Sequence, residues 1–178
     1  MPPADRSLEI RTARILLRAF RAGDVDDALA YRNDADFARF LPHIPQPFTR
    51  EHAEAFVATN MTEPWETLPT FAIVIDDHVI GTVSFEIDPA TRTAMLGYAI
   101  SRAHWGRGIA AEAAAAAMHW AFAEHDLVEI WASTQPNNLR SRRVLEKLGM
   151  TLAPALTEHG DVHYRTRRLS PEAATSRS

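Results

Sequence analysis

The segment Tyr98-Ala-Ile-Ser-Arg-Ala-His-Trp-Gly-Arg-Gly-Ile-Ala-Ala-Glu112 carries more structural information than any other part of the chain. Its start predicts a β-strand, its two glycines predict a turn, and an alanine-rich helix follows at once. The unpaired backbone N–H groups at such a helix start can hold a pyrophosphate, because glycine lets the backbone approach closely. A strand-to-helix turn that binds no ligand is the alternative interpretation.

Two common nucleotide-binding motifs do not fit this segment. It lacks the Gly-Lys-Ser/Thr sequence that binds nucleoside triphosphates. The dinucleotide pattern Gly-x-Gly-x-x-Gly would require a glycine where Ala111 stands. The segment therefore predicts an anion-binding turn of a different type.

The elements on both sides of this segment predict a mixed α/β domain. After the helix at 110–124, the pattern predicts a strand at 128–134 and a helix at 138–148 that stops at Gly149. Helical patterns at 25–41, capped by Asp24, and from Thr49 onward lie on the amino-terminal side. Strands are expected at 10–20, 71–75, 79–87, 93–101, 151–155 and 162–169.

This order of elements predicts one βαβ unit within an otherwise antiparallel sheet. No internal repeat or low-complexity linker divides the chain. We therefore expect a single domain over residues 8–169, with loose termini at 1–7 and 170–178.

The composition is that of an ordinary globular protein, with 46% hydrophobic and 24% charged residues among 178. A net charge of −4 gives no global basic field, so nucleic acid is not an expected partner. The most apolar stretch, 109–118, is about half the roughly 20 residues that a membrane helix requires, and the first ten residues lack an apolar signal segment. We expect a cytoplasmic protein with no membrane partner.

The chain contains no cysteine, which excludes disulfides, thiolate metal sites and a cysteine acyl-enzyme intermediate. Its eight histidines do not form a His-Glu-x-x-His motif. His159 and His163 lack two further ligands nearby. We expect no metal.

Three segments together resemble one enzyme family. Trp105-Gly-Arg-Gly-Ile-Ala110 resembles the acetyl-CoA pyrophosphate motif Gln/Arg-x-x-Gly-x-Gly/Ala of GCN5-related N-acetyltransferases, with Trp105 in place of Gln or Arg. Together with Gly97-Tyr-Ala-Ile100 it is similar to the pattern of the RimJ/RimL-like branch. Asn138-Leu-Arg-Ser141 with Val144-Leu-Glu-Lys-Leu-Gly-Met150, and Thr12-Ala-Arg-Ile-Leu-Leu-Arg-Ala-Phe20, resemble two further segments of that branch.

The resemblance implies the acetyltransferase fold, a mostly antiparallel sheet with a central splayed pair of parallel strands flanked by helices. It implies acetyl-CoA as co-substrate, with its pantetheine arm in the gap between the strands at 93–101 and 128–134. It also implies direct attack of an amine on the thioester. The residues that the resemblance assigns to acetyl-CoA are Ile100, Trp105, Gly106, Arg107, Gly108, Ile109, Ala110, Asn138 and Ser141.

The catalytic residues follow the family pattern less closely. The tyrosine that protonates the leaving thiolate in many relatives is Leu145 here, so Ser141 is the leading acid, with a helix-end role as the alternative. The glutamate that serves as base in some relatives is Met95 here. Glu86, on the neighbouring strand, is the substitute candidate, and an exposed strand charge is its alternative role.

Other residues have two open interpretations each. Arg140, Arg142 and Arg143 either reach the 3′-phosphate of CoA or form a solvated helix face. Trp65 and the region 37–48 either line the acceptor site or belong to the core.

The expected partner is an amine acceptor, which we predict to be a protein or peptide α-amine. An antibiotic or polyamine acetyltransferase, and an acyl-CoA-binding module without catalysis, are the alternatives. The sequence leaves open whether the protein forms a homodimer.

Overall fold

In the computed structural model, which describes residues 7–156 and 160–167, eight strands form a single mixed sheet. The spatial order of the strands is β1-β2-β3-β4-β5-β6-β8-β7. The strands are β1 Glu9–Arg11, β2 Leu16–Arg18, β3 Thr70–Ile75, β4 His78–Asp88, β5 Thr93–Ile100, β6 Glu129–Thr134, β7 Thr151–Leu156 and β8 Val162–Arg167. All neighbours are antiparallel except β5 and β6, as the predicted central βαβ unit requires.

Within the described residues, five α-helices cover the two faces of this sheet. They are α1 Val25–Arg32, α2 Ala35–Ala38, α3 Arg50–Thr62, α4 Ile109–Glu124 and α5 Leu139–Lys147. Alternate residues of a strand point to opposite faces, so Ile73 packs in the cluster that contains α4, while Ala72 and Val74 pack against α1 and α3. The sheet is thus the middle layer between two hydrophobic cores.

The parallel pair of strands stays together for only a few residues. β5 and β6 are paired from Thr93 opposite Glu129 to Met95 opposite Trp131, and no further pairing follows among the described residues. On its other edge, β5 pairs with β4 along its whole length, from Thr93 to Ile100. The carboxyl half of β5 is therefore bound to one neighbour only, and a gap opens beside it.

Gly81 allows β4 to follow the end of β5 at this close distance. A Cβ atom at position 81 would overlap the carbonyl oxygen of Ala99 and lie 2.9 Å from the Cα atom of Ile100. Any other residue would therefore push the two strands apart beside the gap.

The amino-terminal strand predicted at 10–20 is wrong in one respect, because β1 and β2 form a hairpin instead. The chain reverses at residues 12–15, where the N–H group of Thr12 donates to the carbonyl of Ile15. The Thr12 hydroxyl binds a carboxylate on α4, which is an interaction that local sequence periodicity does not show.

Asp24 precedes α1 as expected, but its side chain does not cap the helix. Both carboxylate oxygens accept from Arg18, at 2.8 and 2.9 Å, and both side chains are almost fully buried. The hydrogen bond to Asp24 raises the pKa of Arg18. Capping at α3 is as predicted, with the Thr49 hydroxyl accepting from the N–H group of His52.

Parts of some predictions lie outside the described residues. The expected loose termini fall there for residues 1–6 and 170–178, as does the end of the last predicted strand, 168–169. Within the described ranges, no helix is both long enough and apolar enough to cross a membrane.

Candidate active site

The turn between β5 and α4 leaves the start of the helix open. Gly106 and Gly108 have φ values of 73° and 77°, in the left-handed region that favours glycine. Gly108 is the N-cap of α4, and no side chain bonds to the first turn there. The first N–H groups of the helix therefore have no intrahelical acceptor, and they point outward at the positive end of the helix dipole.

Hydrogen bonds and an ion pair from the amino-terminal segment hold this turn in place. The Glu112 carboxylate, in the first turn of α4, accepts from the Thr12 hydroxyl at 2.5 Å and from Arg14 Nε at 2.7 Å. Arg14 also donates to the carbonyl of Arg107 at 2.8 Å. Burial acts to raise the pKa of Glu112, but the hydrogen bonds from Thr12 and Arg14 outweigh it, so the pKa is lowered.

A cleft of about 630 Å³ begins at the turn and follows the gap between β5 and β6. Of the residues predicted to contact acetyl-CoA, all but Arg107 line it. The lining residues on the β5, turn and α5 side include Leu96, Tyr98, Ile100, Trp105, Gly106, Gly108, Ile109, Ala110, Asn138, Arg140, Ser141, Arg143, Leu145 and Lys147. The structure thus brings the segments 97–100, 105–110 and 138–147 to one concave surface.

Ser141 is hydrogen bonded to Tyr98 of β5. Its Oγ atom lies 2.8 Å from the Tyr98 hydroxyl, which also donates to the Ser141 carbonyl at 3.0 Å. Burial raises the pKa of Tyr98 to about 12. The phenol therefore stays protonated at neutral pH, and its single proton can be donated either to the Ser141 carbonyl or to Ser141 Oγ.

The side chain of Asn138 caps the start of α5. The Asn138 side-chain oxygen accepts from the N–H group of Ser141 at 3.2 Å. This bond leaves the Asn138 amide NH₂ group available on the cleft surface. Leu145, where many relatives have a tyrosine, is fully buried and has no proton to give.

The three arginines of α5 separate into two groups. Arg140 and Arg143 line the cleft, as does Lys147 one turn further along. Arg142 turns away, since its side chain donates to the Tyr164 hydroxyl at 3.1 Å and to the Pro136 carbonyl at 3.2 Å. Arg142 is not among the residues that line the cleft, and its contact with the 3′-phosphate stays a prediction.

The other wall of the cleft comes from the amino-terminal helical region. Phe37 and Asp36 of α2, and Phe40, Leu41 and Pro42 after it, line the cleft opposite α5. An ion-pair bridge ties this wall to the turn after β5. In this bridge, Arg102 donates to Asp34 and to Asp36, each at 3.0 Å.

Trp65 belongs to the core instead of the acceptor wall. It is 2% exposed, and its ring lies 4.8 Å from that of Phe71. Its ring also packs against Trp120 of α4. Phe48 is likewise buried, beneath α3, so the cleft takes only the first part of the region 37–48.

The structure does not place Glu86 in the cleft. Its side chain is exposed on β4, directly opposite Met95, and it is not among the lining residues. The next pair in the ladder on the same face is Ser84 with Gly97, and only Gly97 lines the cleft. A base role for Glu86 stays a prediction.

Among the residues that the structure describes, no cluster of three or more His, Cys, Asp or Glu side chains could hold a metal ion. His163 packs its ring against Trp131, and the ring centroids are 4.6 Å apart. His159 lies outside the described residues.

Comparisons with known proteins agree with this geometry. Residues 14–151 match a family model described as an acetyltransferase (GNAT) domain. The chain is 32% identical over 143 residues to the uncharacterized N-acetyltransferase YnaD of Bacillus subtilis, which covers 80% of this chain and 82% of that protein.

Two solved structures show the same fold. The acetyltransferase (GNAT family) from Bacillus anthracis superposes with a TM-score of 0.79 and 27% identity, covering 90% of this chain and 98% of the other. RimL, a ribosomal L7/L12 alpha-N-protein acetyltransferase solved with coenzyme A, has a TM-score of 0.78 and 19% identity, covering 90% and 98%.

The interactions of the Glu112 carboxylate with Thr12 and Arg14 make the free energy of unfolding depend on pH in a defined direction. Its pKa in the folded protein lies below the ordinary value of 4.5, so its stabilisation is fully present above that value and is lost as pH falls through the folded pKa. We expect Glu112→Gln to lower the stability by about 1–2 kcal/mol at pH 7. The difference from wild type should shrink below about pH 4.

Thermal unfolding between pH 3.5 and 7.5 measures this difference. Glu124→Gln, at the exposed carboxyl end of the same helix, is the matched control and should not lower Tm at any of these pH values. A Glu112→Gln deficit that stayed constant down to pH 3.5 would contradict the assignment of the effect to the charged carboxylate.

Proposed function

The chain belongs to the GNAT acetyltransferase family, and we propose that it transfers the acetyl group of acetyl-CoA directly to a protein or peptide α-amine. The acetyl-CoA-dependent acyltransferase activity is that of the family. The acceptor and the residue roles below are our proposal. The observation that supports it most is the cleft, which joins an open helix start to a gap in the sheet.

The open start of α4 is proposed to bind the pyrophosphate of acetyl-CoA. The backbone N–H groups from Gly106 to Ala110 supply hydrogen bonds and the positive end of a 16-residue helix. Arg107 is exposed beside them, and its carbonyl is engaged by Arg14, so its N–H group and side chain are the parts that could contact phosphate.

The gap between β5 and β6 is proposed to hold the pantetheine arm. Backbone groups of β5 from Leu96 to Ile100 that face the gap have no strand partner there among the described residues. Amide groups of a pantetheine chain can satisfy such backbone groups as a strand would. Asn138, the N-cap residue of α5, also lines the cleft and offers a further side-chain amide.

Direct attack of the amine is proposed, because no cysteine is present to form an acyl-enzyme. The amine nitrogen forms a bond to the acetyl carbon, and the carbon–sulfur bond breaks. Ser141 donates its hydroxyl proton to the leaving sulfur, and Tyr98 passes its own proton to Ser141 Oγ over their 2.8 Å contact. The attacking amine loses its proton to solvent, and solvent returns a proton to the Tyr98 oxygen, so that both hydroxyls end the reaction as they began.

An α-amine is the proposed acceptor because it depends least on a base: Met95 stands where some relatives have a glutamate, and Glu86 does not line the cleft. An attacking amine must be neutral, and an α-amine with a pKa of about 7.7–8.0 is roughly a tenth neutral at pH 7. Lysine, with a pKa of about 10.4, is neutral in only about 0.04% of molecules. The likeness to RimL, an alpha-N-protein acetyltransferase, supports the same acceptor class.

The wall formed by Phe40, Leu41 and Pro42 is proposed to receive the acceptor. It lies opposite the basic residues of α5, so the two substrates would enter from different sides of β5. Asp36, 57% exposed, shares Arg102 with Asp34, so this bridge has one carboxylate more than it has cations, and a cationic amine is favoured near it.

The acceptor proposal is tested with two peptides of one sequence at pH 7. One has a free amino terminus and no lysine, and the other has a blocked terminus and a single lysine. We expect kcat/KM to be at least tenfold higher for the free terminus, since the difference in neutral fraction is a factor of a few hundred. A preference for the lysine peptide would refute the α-amine proposal.

Failure of both peptides, in a protein that still binds acetyl-CoA, would also contradict the α-amine acceptor. A polyamine and an aminoglycoside run alongside then identify a small-molecule enzyme. If no amine is acetylated, the result favours the alternative of an acyl-CoA-binding module without catalysis.

The roles of Ser141 and Tyr98 are tested by Ser141→Ala and Tyr98→Phe. We expect Ser141→Ala to lower kcat by about 10²-fold while leaving acetyl-CoA affinity within about twofold, because an acid acts on the leaving group. Tyr98→Phe should lower kcat by a smaller factor. Since both act in one relay, the double variant should be no slower than Ser141→Ala.

Single-turnover measurements report these rates without product release. Leu139→Ala, at an exposed position on the same helix, is the control and should keep the wild-type rate. An unchanged single-turnover rate for Ser141→Ala would reduce Ser141 to a helix-end residue.

A further inference from the structure

Trp105 and Arg140 form a stacked pair that the proposed function has not used. The guanidinium carbon of Arg140 lies 4.1 Å from the centroid of the Trp105 ring. The ring is itself fixed, because its Nε1 atom donates to the carbonyl of Ile100 at 2.9 Å. A guanidinium at this distance over an indole face is held by a cation–π interaction.

The pair joins the turn after β5 to the start of α5. Trp105 stands immediately before the glycine turn, and Arg140 is the second residue of α5 on the other side of the gap. Both residues line the cleft. Within residues 7–156 and 160–167, no carboxylate forms a salt bridge with Arg140, so its charge is not neutralised there.

We infer that Trp105 positions the Arg140 guanidinium beside the turn so that Arg140 binds the pyrophosphate of acetyl-CoA. The inference rests on the proposed binding of pyrophosphate at the start of α4. The motif that this chain resembles has Gln or Arg where Trp105 stands. Trp105 itself supplies no charge. It instead holds Arg140 of α5 next to the position from which the Gln or Arg of the motif would extend.

The position of Arg140 favours the pyrophosphate over the 3′-phosphate. Its stack ties it to the residue that adjoins the phosphate turn. Arg143 and Lys147 lie further along α5, by about 4.5 and 10 Å of helix rise, and they line the cleft away from that contact. They are better placed for a phosphate further out along the ligand.

The stack also explains why arginine suits this position better than lysine. A guanidinium that lies flat on a ring keeps the N–H groups at its edge free to form paired bonds with phosphate oxygens. An ammonium group has no flat face and is more strongly hydrated, so Trp105 would not orient it in the same way.

The experiment measures dissociation constants by calorimetry for three ligands: acetyl-CoA, acetyl-dephospho-CoA, which lacks the 3′-phosphate, and acetyl-pantetheine, which lacks the pyrophosphate too. The variants are Arg140→Lys, Trp105→Leu and the double variant. Arg50→Lys is the control, since Arg50 is an exposed arginine that pairs with Asp26 outside the cleft.

We expect Arg140→Lys to weaken acetyl-CoA and acetyl-dephospho-CoA equally, by about three- to tenfold. Acetyl-pantetheine should bind as it does to wild type. Trp105→Leu should weaken the first two ligands by a similar factor, and the double variant should be little weaker than either single one. Arg50→Lys should leave all three constants unchanged.

Four outcomes would overturn the inference. Arg140→Lys could leave acetyl-CoA affinity unchanged, it could weaken acetyl-CoA but not acetyl-dephospho-CoA, or it could weaken acetyl-pantetheine as much as the rest. The fourth is wild-type protein that binds none of the ligands, which would contradict the proposed function as well. Because Arg140 is exposed, its lysine variant tests the inference even if Trp105→Leu does not fold.

Discussion

β5 and β6 are held together by ladder pairs only from Thr93 to Met95, and the two strands then separate. A buried backbone group without a partner costs free energy, so a sheet that opens in its middle must satisfy those groups in another way. The full pairing of β5 with β4, with Gly81 at its end, keeps β5 from following β6. The cleft and the proposed pantetheine site both depend on this separation.

The charges of the site oppose those of the protein as a whole. The chain has a net charge of −4, but the cleft brings together the start of a 16-residue helix and three basic side chains of α5, Arg140, Arg143 and Lys147. Asp36 belongs to α2, which packs in the core on the other side of the sheet from α5. An anionic cofactor is thus attracted to the α5 side of the cleft.

The sequence predicted the elements that local patterns determine. The strand, glycine turn and helix at 98–112, the central βαβ unit and the family resemblance were all confirmed. It missed contacts between distant residues, such as Tyr98 with Ser141, 43 positions apart, and Thr12 with Glu112, 100 positions apart. Periodicity and capping rules describe neighbours along the chain, so they could not show that Arg142 turns away from the cleft while Arg140 lies on Trp105.

The binding of acetyl-CoA by Gly108→Ala and Gly149→Ala, measured by calorimetry, tests the proposed pyrophosphate site at the start of α4 most directly. Both glycines have left-handed φ values, 77° and 73°, so both substitutions carry a similar backbone strain. Gly149 follows the carboxyl end of α5 and does not line the cleft. The account predicts that Gly108→Ala weakens acetyl-CoA by at least about tenfold, while Gly149→Ala binds it as wild type does. Equal affinities for the two variants would contradict it.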